Sequence, residues 1–188
     1  MTDRFQNYAA LSAEMLRDDD YQIRAEDRGG AVIILAPHGG TIEPETSLIA
    51  EAIAGSDYSY YLFEALKAGA HGDFHITSHR FDEPQALELV ASAQVAVAIH
   101  GRKDDGTETV WLGGRAEALR DAIGAALREA GFDAAPNTTL PGVHETNICN
   151  RTRTGEGVQL ELPRSLRRTL AEDPDLLERF SQAVRQTL

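Results

Sequence analysis

The sequence predicts an α/β fold: a single-domain three-layer sandwich, residues 1–188, in which helices cover both faces of a mixed, mostly parallel sheet. Three observations lead to this prediction. Strand-like segments alternate with helical segments of about 10–15 residues, which is typical of layered α/β proteins. Two segments, AVIILAP and QVAVAIHG, are continuously apolar, as expected of strands covered on both sides. The length of 188 residues fits one ordinary domain.

The first elements are predicted as follows. Apolar residues at helical spacing over 7–16 predict a helix, and the alternating segment YQIRAE predicts an edge strand. The segment AVIILAP predicts a central strand that ends in His38-Gly39-Gly40. Pro44 followed by ETSLIAEAIAG predicts a helix with proline in its first turn and Gly55 at its end.

The rest of the chain continues this alternation. Strands are predicted for SYYLFEAL, FHITS, QVAVAIHG, TETVWLGG and VQLEL. Helices are predicted for 84–93 and 116–130, the second closed by Gly131, and two amphipathic segments end the chain. In open α/β sheets, ligands bind beyond the carboxyl ends of the strands. Four polar residues fall at or near such ends: His38, His79, His100 and Glu161.

Charge and composition limit the partners and the compartment that we expect for this protein. The formal net charge of −12 argues against nucleic acid as a partner, because binding to phosphates depends on Lys and Arg. No segment has the roughly 18 apolar residues of a membrane span, and the N-terminus does not resemble a classical signal peptide. A single cysteine cannot form an internal disulfide and favours a reducing compartment. We expect a cytoplasmic protein without nucleic-acid or membrane partners, whose oligomeric state is open and compatible with a monomer.

Two histidines and a glutamate form a candidate zinc site. His38 and His100 end the two most apolar strands, and a glycine follows each of them. Glu43 lies five residues after His38, with glycines that allow a tight return. A catalytic zinc takes three such ligands and leaves one position for water. Hydrogen-bonded surface histidines are the competing interpretation, and His144 is an alternative to His100. We expect His75 to be an ordinary strand residue.

Glu161 interrupts the apolar strand VQLEL. Burying a carboxylate is costly unless it is paired, hydrogen-bonded or close to a metal. Beside a metal-activated water it can act as a general base. Alternatively, Glu161 points into solvent from an edge strand or pairs with Arg164.

Two polar loops are candidates for substrate binding. One contains His79 and Arg80 after FHITS, and the other contains Asn147, Asn150 and Arg151. An arginine flanked by asparagines suits a carboxylate, because the guanidinium fork donates two parallel hydrogen bonds. Turn-forming asparagines beside a surface arginine are the alternative.

Several motifs together resemble the poly-gamma-glutamate hydrolase family of bacteria and their phages. They are APHGGTIEPETSLIAEAIAG, DYSYYLFEAL, ITSHRFDEP, AVAIHG, TVWLGG, NICNR and VQLELP, in the family's order over residues 20–170. The resemblance implies a compact α/β relative of the zinc carboxypeptidases with one zinc ion. It gives the ligand positions to His38, Glu43 and His100, and the role of catalytic base to Glu161.

The activity that the resemblance implies is hydrolysis of γ-glutamyl amide bonds, in poly-γ-glutamate or γ-glutamyl peptides. Six residues are expected to contact the substrate: Arg151, Asn147, Asn150, Arg80, His79 and Arg102. His79-Arg80 departs from the small or amide side chains expected at that place, which affects substrate preference more than catalysis. The alternatives are a zinc amidohydrolase for a small acylated amino acid, such as an N-acylglutamate, and a zinc-containing binding protein without turnover.

Overall fold

The protein is described by a computed structural model that covers residues 3–67 and 71–188. The strands are β1 Tyr21–Glu26, β2 Val32–Gly40, β3 Ser59–Ala65, β4 Val95–Arg102, β5 Val110–Gly114, β6 Ala134–Pro136 and β7 Gly157–Pro163. The α-helices are α1 Tyr8–Ser12, α2 Thr46–Ala54, α3 His71–Phe74, α4 Pro84–Ser92, α5 Glu117–Glu129, α6 Arg164–Glu172 and α7 Pro174–Arg185. A short 3₁₀ helix covers Ile148–Asn150.

The described strands form one mixed sheet with the order β1-β3-β2-β4-β7-β5-β6. Strands β3, β2, β4 and β7 are parallel to one another, whereas β1 and β5 run antiparallel to their neighbours β3 and β7. The predicted fold class is confirmed, with YQIRAE at an edge and the two continuously apolar strands side by side at the centre. Among the described residues, none of the helices combines the length and apolar character needed to cross a membrane.

Alternate residues of the central strands face two separate cores. Ile34 of β2 packs in one core with Ile49 of α2 and Phe180 of α7. Its neighbour Leu35 belongs to the other core, which includes Val90 of α4. Because successive side chains of a strand point to opposite faces, a strand covered on both sides must be apolar at every position. The sheet therefore lies between two helical layers.

The structure differs from the predicted elements in three places. FHITS is not a strand: its first residue ends α3, and Phe74 and Ile76 are buried in the second core without pairing with the sheet. The backbone of this segment is satisfied by a side chain instead, because the Thr77 N–H donates to Asp3 at 2.8 Å. The three-residue strand β6 was not predicted, and Pro44 precedes α2 instead of lying in its first turn.

A bulge in β2 shapes the carboxyl end of the sheet. The register with β3 passes from Ala36↔Leu62 to Gly39↔Glu64, so β2 holds one extra residue between these pairs. Proline at position 37 lacks the N–H that a regular ladder needs. On its other side, β2 pairs with β4 only as far as Leu35. Strands β2 and β4 therefore separate where His38 emerges, which leaves room for side chains between them.

The chain turns directly after this bulge, and the turn requires glycine at position 40. Gly40 has φ +63°, and a Cβ there would overlap the carbonyl oxygen of Ala65. We predict that Gly40→Ala lowers the free energy of unfolding by about 1–3 kcal/mol beyond the cost of the positive φ, because the added carbon has no space. The measurement is urea denaturation followed by circular dichroism.

Gly29 is the matched control for this substitution. It has φ +68°, but no heavy atom of the described residues lies within 4 Å of the place that a Cβ would occupy there. Gly29→Ala therefore reports the strain of the left-handed conformation alone, about 1–2 kcal/mol. Equal losses for the two variants would contradict a steric requirement at Gly40.

Candidate metal centre

His38, Glu43 and His100 meet at the carboxyl end of the sheet, and all three side chains are buried. The Nδ1 atoms of His38 and His100 are 3.2 Å apart. Glu43 places Oε1 3.2 Å from His38 Nδ1 and Oε2 3.7 Å from His100 Nδ1. The structure thus brings the three sequence-predicted ligands together, with the donor atoms facing one another.

The glycines beside these residues permit the close approach. A Cβ at Gly39 would overlap Ser47 Oγ, so that position accepts only glycine while α2 packs against β2. The Glu43 N–H donates to the His38 carbonyl at 2.9 Å and closes the return loop. The Gly101 N–H donates to Glu43 Oε2 at 2.7 Å and holds the carboxylate against β4.

The tautomer of His38 follows from its surroundings. Its Nε2 lies 2.8 Å from the carbonyl oxygen of Ile76, and a carbonyl can only accept. Nε2 therefore carries a hydrogen, and Nδ1 turns toward Glu43 and His100. A histidine that donates its other N–H to a backbone carbonyl is typical of a metal ligand.

The donor set fits a tetrahedral zinc. Two atoms bound to such an ion at the usual 2.0–2.2 Å are about 3.3–3.6 Å apart, close to the separations observed here. Burial by itself would favour the neutral acid of Glu43, but the neighbouring charge on His38 and the contacts with His100 and His38 hold the pKa of Glu43 well below its ordinary value. The carboxylate is therefore ionised, as a ligand must be.

His75 is a fourth residue that can offer a ligand atom at this centre, through an imidazole nitrogen. The sequence had predicted an ordinary strand residue at this position. Its Nε2 lies 3.9 Å from Glu43 Oε1, and one ligand atom each of His38, Glu43 and His75 lies within 4.8 Å of the others. Its Nδ1 lies 2.7 Å from Asp3 Oδ1. Two possible donor sets therefore share His38 and Glu43: one is completed by His100 and the other by His75. The signal available in the sequence was the spacing His71-x₃-His75, which is typical of metal-binding histidines.

Glu161 lies next to this cluster on β7. It is the register partner of His100, so the two side chains leave neighbouring strands on the same face. Burial raises the pKa of Glu161, and the charge of His100 offsets this only in part. A carboxyl group in this position is a stronger base than one in water.

Gln159 and Asn147 orient Glu161. The Asn147 amide donates to Gln159 Oε1 at 2.9 Å, which leaves the Gln159 amide nitrogen to donate to Glu161 Oε1 at 3.3 Å. Gln159 was missed in the sequence, although Gln159 and Glu161 alternate as polar residues in an apolar strand. That period of two was the signal that both side chains share one face.

A cavity of about 630 Å³ opens onto the cluster and Glu161. The predicted substrate residues Arg102, Asn147 and His79 also line it. His144, the alternative ligand, lies exposed at its edge with its ring centroid 5.2 Å from that of His79, and Thr146 donates to its Nδ1. The geometry thus places His144 at the mouth of the cavity and outside the two donor sets.

Three further predicted substrate residues do not line this cavity in the described structure: Arg80, Asn150 and Arg151. Asn150 uses its amide nitrogen on the carbonyls of Gly142 and His144, at 2.8 and 2.9 Å. Arg151 donates from Nε to the carbonyl of Thr146 at 2.9 Å. Asn150 and Arg151 hold the loop that forms the cavity wall, which agrees with the alternative of turn-forming side chains.

The fold and the site together define the class: an α/β protein whose buried histidine–glutamate cluster suits a metal ion and faces a cavity with a glutamate beside it. Residues 5–187 match the family described as poly-gamma-glutamate hydrolase. The chain belongs to the poly-gamma-glutamate hydrolase family.

Relatives and solved structures agree with this membership. The SPbeta prophage-derived protein YoqZ of Bacillus subtilis (strain 168) is 38% identical over 171 residues, which cover 89% of this chain and 61% of YoqZ. A bacteriophage poly-gamma-glutamate hydrolase superposes with a TM-score of 0.94 at 28% identity, covering 99% of this chain and 96% of the other. A zinc-free structure of YndL gives a TM-score of 0.91 at 29% identity, covering 99% and 97%. This chain thus spans less than two thirds of YoqZ.

Cys149 lies in the 3₁₀ helix Ile148–Asn150 and is fully buried. Burial raises the pKa of its thiol to about 12, so the reactive thiolate is almost absent at neutral pH. We predict that the native protein does not react with Ellman's reagent at pH 8, whereas the protein in guanidinium chloride releases one equivalent of chromophore. Stoichiometric reaction of the native protein would contradict the packing around Cys149.

Proposed function

We propose that this protein is a zinc-dependent hydrolase that cleaves γ-glutamyl amide bonds, in poly-γ-glutamate or γ-glutamyl peptides. One observation carries the proposal. The buried cluster of His38, Glu43 and His100 and the oriented carboxyl group of Glu161 face the same cavity. The family of the chain supports the substrate class.

Zinc is the metal that suits these donors. Two imidazoles and one carboxylate are a common ligand set of catalytic zinc, which keeps one position for water or substrate. The zinc-free form of YndL, a relative with a closely similar fold, is consistent with zinc in this family. We propose one ion, because the two donor sets share His38 and Glu43 and overlap in space.

We assign the third ligand position to His100. The distances from its Nδ1 to His38 Nδ1 and to Glu43 Oε2, 3.2 and 3.7 Å, fit a tetrahedral zinc better than the 3.9 Å from His75 Nε2 to Glu43 Oε1. His100 is also buried between the strands, whereas His75 is half-buried at the cavity wall. His75 remains the competing ligand that an experiment must separate from it.

Glu161 is the proposed general base. A bound zinc ion would supply a Lewis acid that activates water and polarises the scissile carbonyl. Glu161 would accept the proton of the attacking water and return it to the leaving nitrogen, for which its raised pKa is suited. Gln159 donates to Glu161 Oε1 and leaves Oε2 free of this contact, so that one oxygen is held while the other moves the proton.

Arg102, Asn147 and His79 are the proposed substrate contacts, since they line the cavity. Arg102 is the most suitable partner for a carboxylate. Its guanidinium donates to the Lys103 and Thr109 carbonyls and pairs with Asp105 Oδ2 at 2.9 Å, so a substrate carboxylate would share this cation with Asp105.

The ligand assignment is tested by two matched variants. We expect His100→Ala to lose the stoichiometric zinc that the wild-type protein binds, because two remaining donors hold the ion poorly. We expect His75→Ala to retain it. The measurement is inductively coupled plasma mass spectrometry of zinc-loaded protein after dialysis. The reverse pattern, with zinc lost only from His75→Ala, would give the third position to His75.

The catalytic role of Glu161 is tested with purified poly-γ-glutamate. We expect the zinc-loaded wild-type protein to shorten the polymer, as seen by size-exclusion chromatography. Glu161→Gln should lower the rate by at least about 10²–10⁴-fold, since the amide cannot accept a proton, while zinc content stays unchanged. Retained activity in Glu161→Gln would remove this residue from its role.

The same assay separates the alternative functions. A zinc-loaded wild-type protein that leaves the polymer intact but cleaves N-acylglutamates would be a small-substrate amidohydrolase. A protein that binds zinc and leaves both substrates unchanged would contradict the proposed catalysis.

A further inference from the structure

Arg167 is a buried arginine directly behind the proposed centre. It belongs to α6, and only 4% of its side chain is exposed. Its guanidinium donates to three backbone carbonyls: Pro44, Leu162 and Arg102. The Leu162 and Arg102 contacts measure 3.3 and 3.5 Å. Burying a guanidinium is costly unless its donors are satisfied, so its position calls for an explanation.

The three carbonyls belong to three different segments that carry the site. Pro44 follows Glu43, and Leu162 follows Glu161. Arg102 lies two residues after His100. One planar group thus joins the loop after β2 to the ends of β4 and β7. These are the segments that carry two proposed ligands and the proposed base.

Gly101 makes room for this guanidinium. A Cβ at position 101 would lie 2.6 Å from Arg167 Cζ, so a larger residue beside His100 would displace the arginine. The His-Gly pair at the end of β4 therefore has a physical explanation. The glycine lets the guanidinium reach the backbone of the strand that carries His100.

The segment next to Glu43 is strained and lies against the same arginine. Glu45 adopts φ +72°, a left-handed conformation that is unfavourable for residues other than glycine. Its Oε2 is buried without a hydrogen-bond partner among the described residues, and lies 3.5 Å from Arg167 Nη1. The contacts of Arg167 with Glu45 and with the Pro44 carbonyl thus hold the strained turn in place.

We propose that Arg167 is a positioning residue for the metal centre: it fixes the separation of Glu43, His100 and Glu161 by binding the backbone behind each of them. This inference rests on the proposed zinc site. The fork geometry is essential to it, because the three carbonyls accept from three different nitrogens of the planar guanidinium, whereas the donors of a lysine ammonium all lie on one nitrogen.

The test compares Arg167→Met and Arg167→Lys with the control Arg185→Met. Arg185 of α7 also donates to backbone carbonyls, those of Ile53 and Ala54, at the opposite end of α2. The control thus removes a similar interaction far from the site. Zinc affinity is measured by competition with a chromophoric chelator, and the visible absorption spectrum of the cobalt-loaded protein reports ligand geometry.

We expect both Arg167 variants to bind zinc roughly 10–100-fold more weakly than the wild type, as for other residues that orient metal ligands. Their cobalt spectra should shift in wavelength or intensity. Arg185→Met should lower the thermal midpoint while zinc affinity and the cobalt spectrum stay unchanged. If Arg167→Met does not fold, Arg167→Lys carries the test, since it keeps the buried positive charge.

Wild-type zinc affinity and an unchanged cobalt spectrum in a folded Arg167 variant would overturn the inference while leaving the proposed function intact. Equal losses of zinc affinity in Arg167→Lys and Arg185→Met would also overturn it, because the effect would then be one of general stability. Failure of the wild-type protein to bind zinc would instead refute the proposed function on which the inference rests.

Discussion

The structure depends on bringing one carboxylate and two imidazoles together in the interior. Glu43 is ionised and buried between His38 and His100, and an uncompensated charge in that place would be strongly destabilising. The surrounding features reduce this cost. The bulge in β2 turns His38 into the gap, the Gly101 N–H binds the carboxylate, and Arg167 places a positive charge behind it. A bound cation would complete the compensation.

Much of the fold could be predicted from hydrophobic pattern. The continuous apolar runs of β2 and β4 indicated strands covered on both faces, and glycine at position 55 marked the end of α2. The segment FHITS was wrongly predicted as a strand because Phe74 and Ile76 alternate as apolar residues do in a strand. In the structure they pack on the sheet without joining it. Local sequence does not show that the Thr77 N–H is satisfied by Asp3, which lies far away in the chain.

Part of the candidate site could also be proposed from the sequence. His38, Glu43 and His100 could be proposed because each follows or adjoins a strand end with glycines, a feature of local sequence. His75 and Gln159 escaped notice because their roles depend on neighbours from other segments, Asp3 and Asn147. The amide of Asn150 was assigned to substrate by its place beside Arg151, whereas the fold uses it to hold a loop. These roles could not be predicted because they depend on hydrogen bonds between segments, which the local sequence does not reveal.

His38, Glu43 and His100 are proposed to hold one zinc ion in front of Glu161. The most direct measurement is an anomalous-difference map from crystals of the zinc-loaded protein, recorded at the zinc absorption edge. We expect one peak at about 2.0–2.2 Å from the Nδ1 atoms of His38 and His100 and from a carboxylate oxygen of Glu43. A peak bonded to His75 in place of His100, or no peak in this cavity, would contradict it.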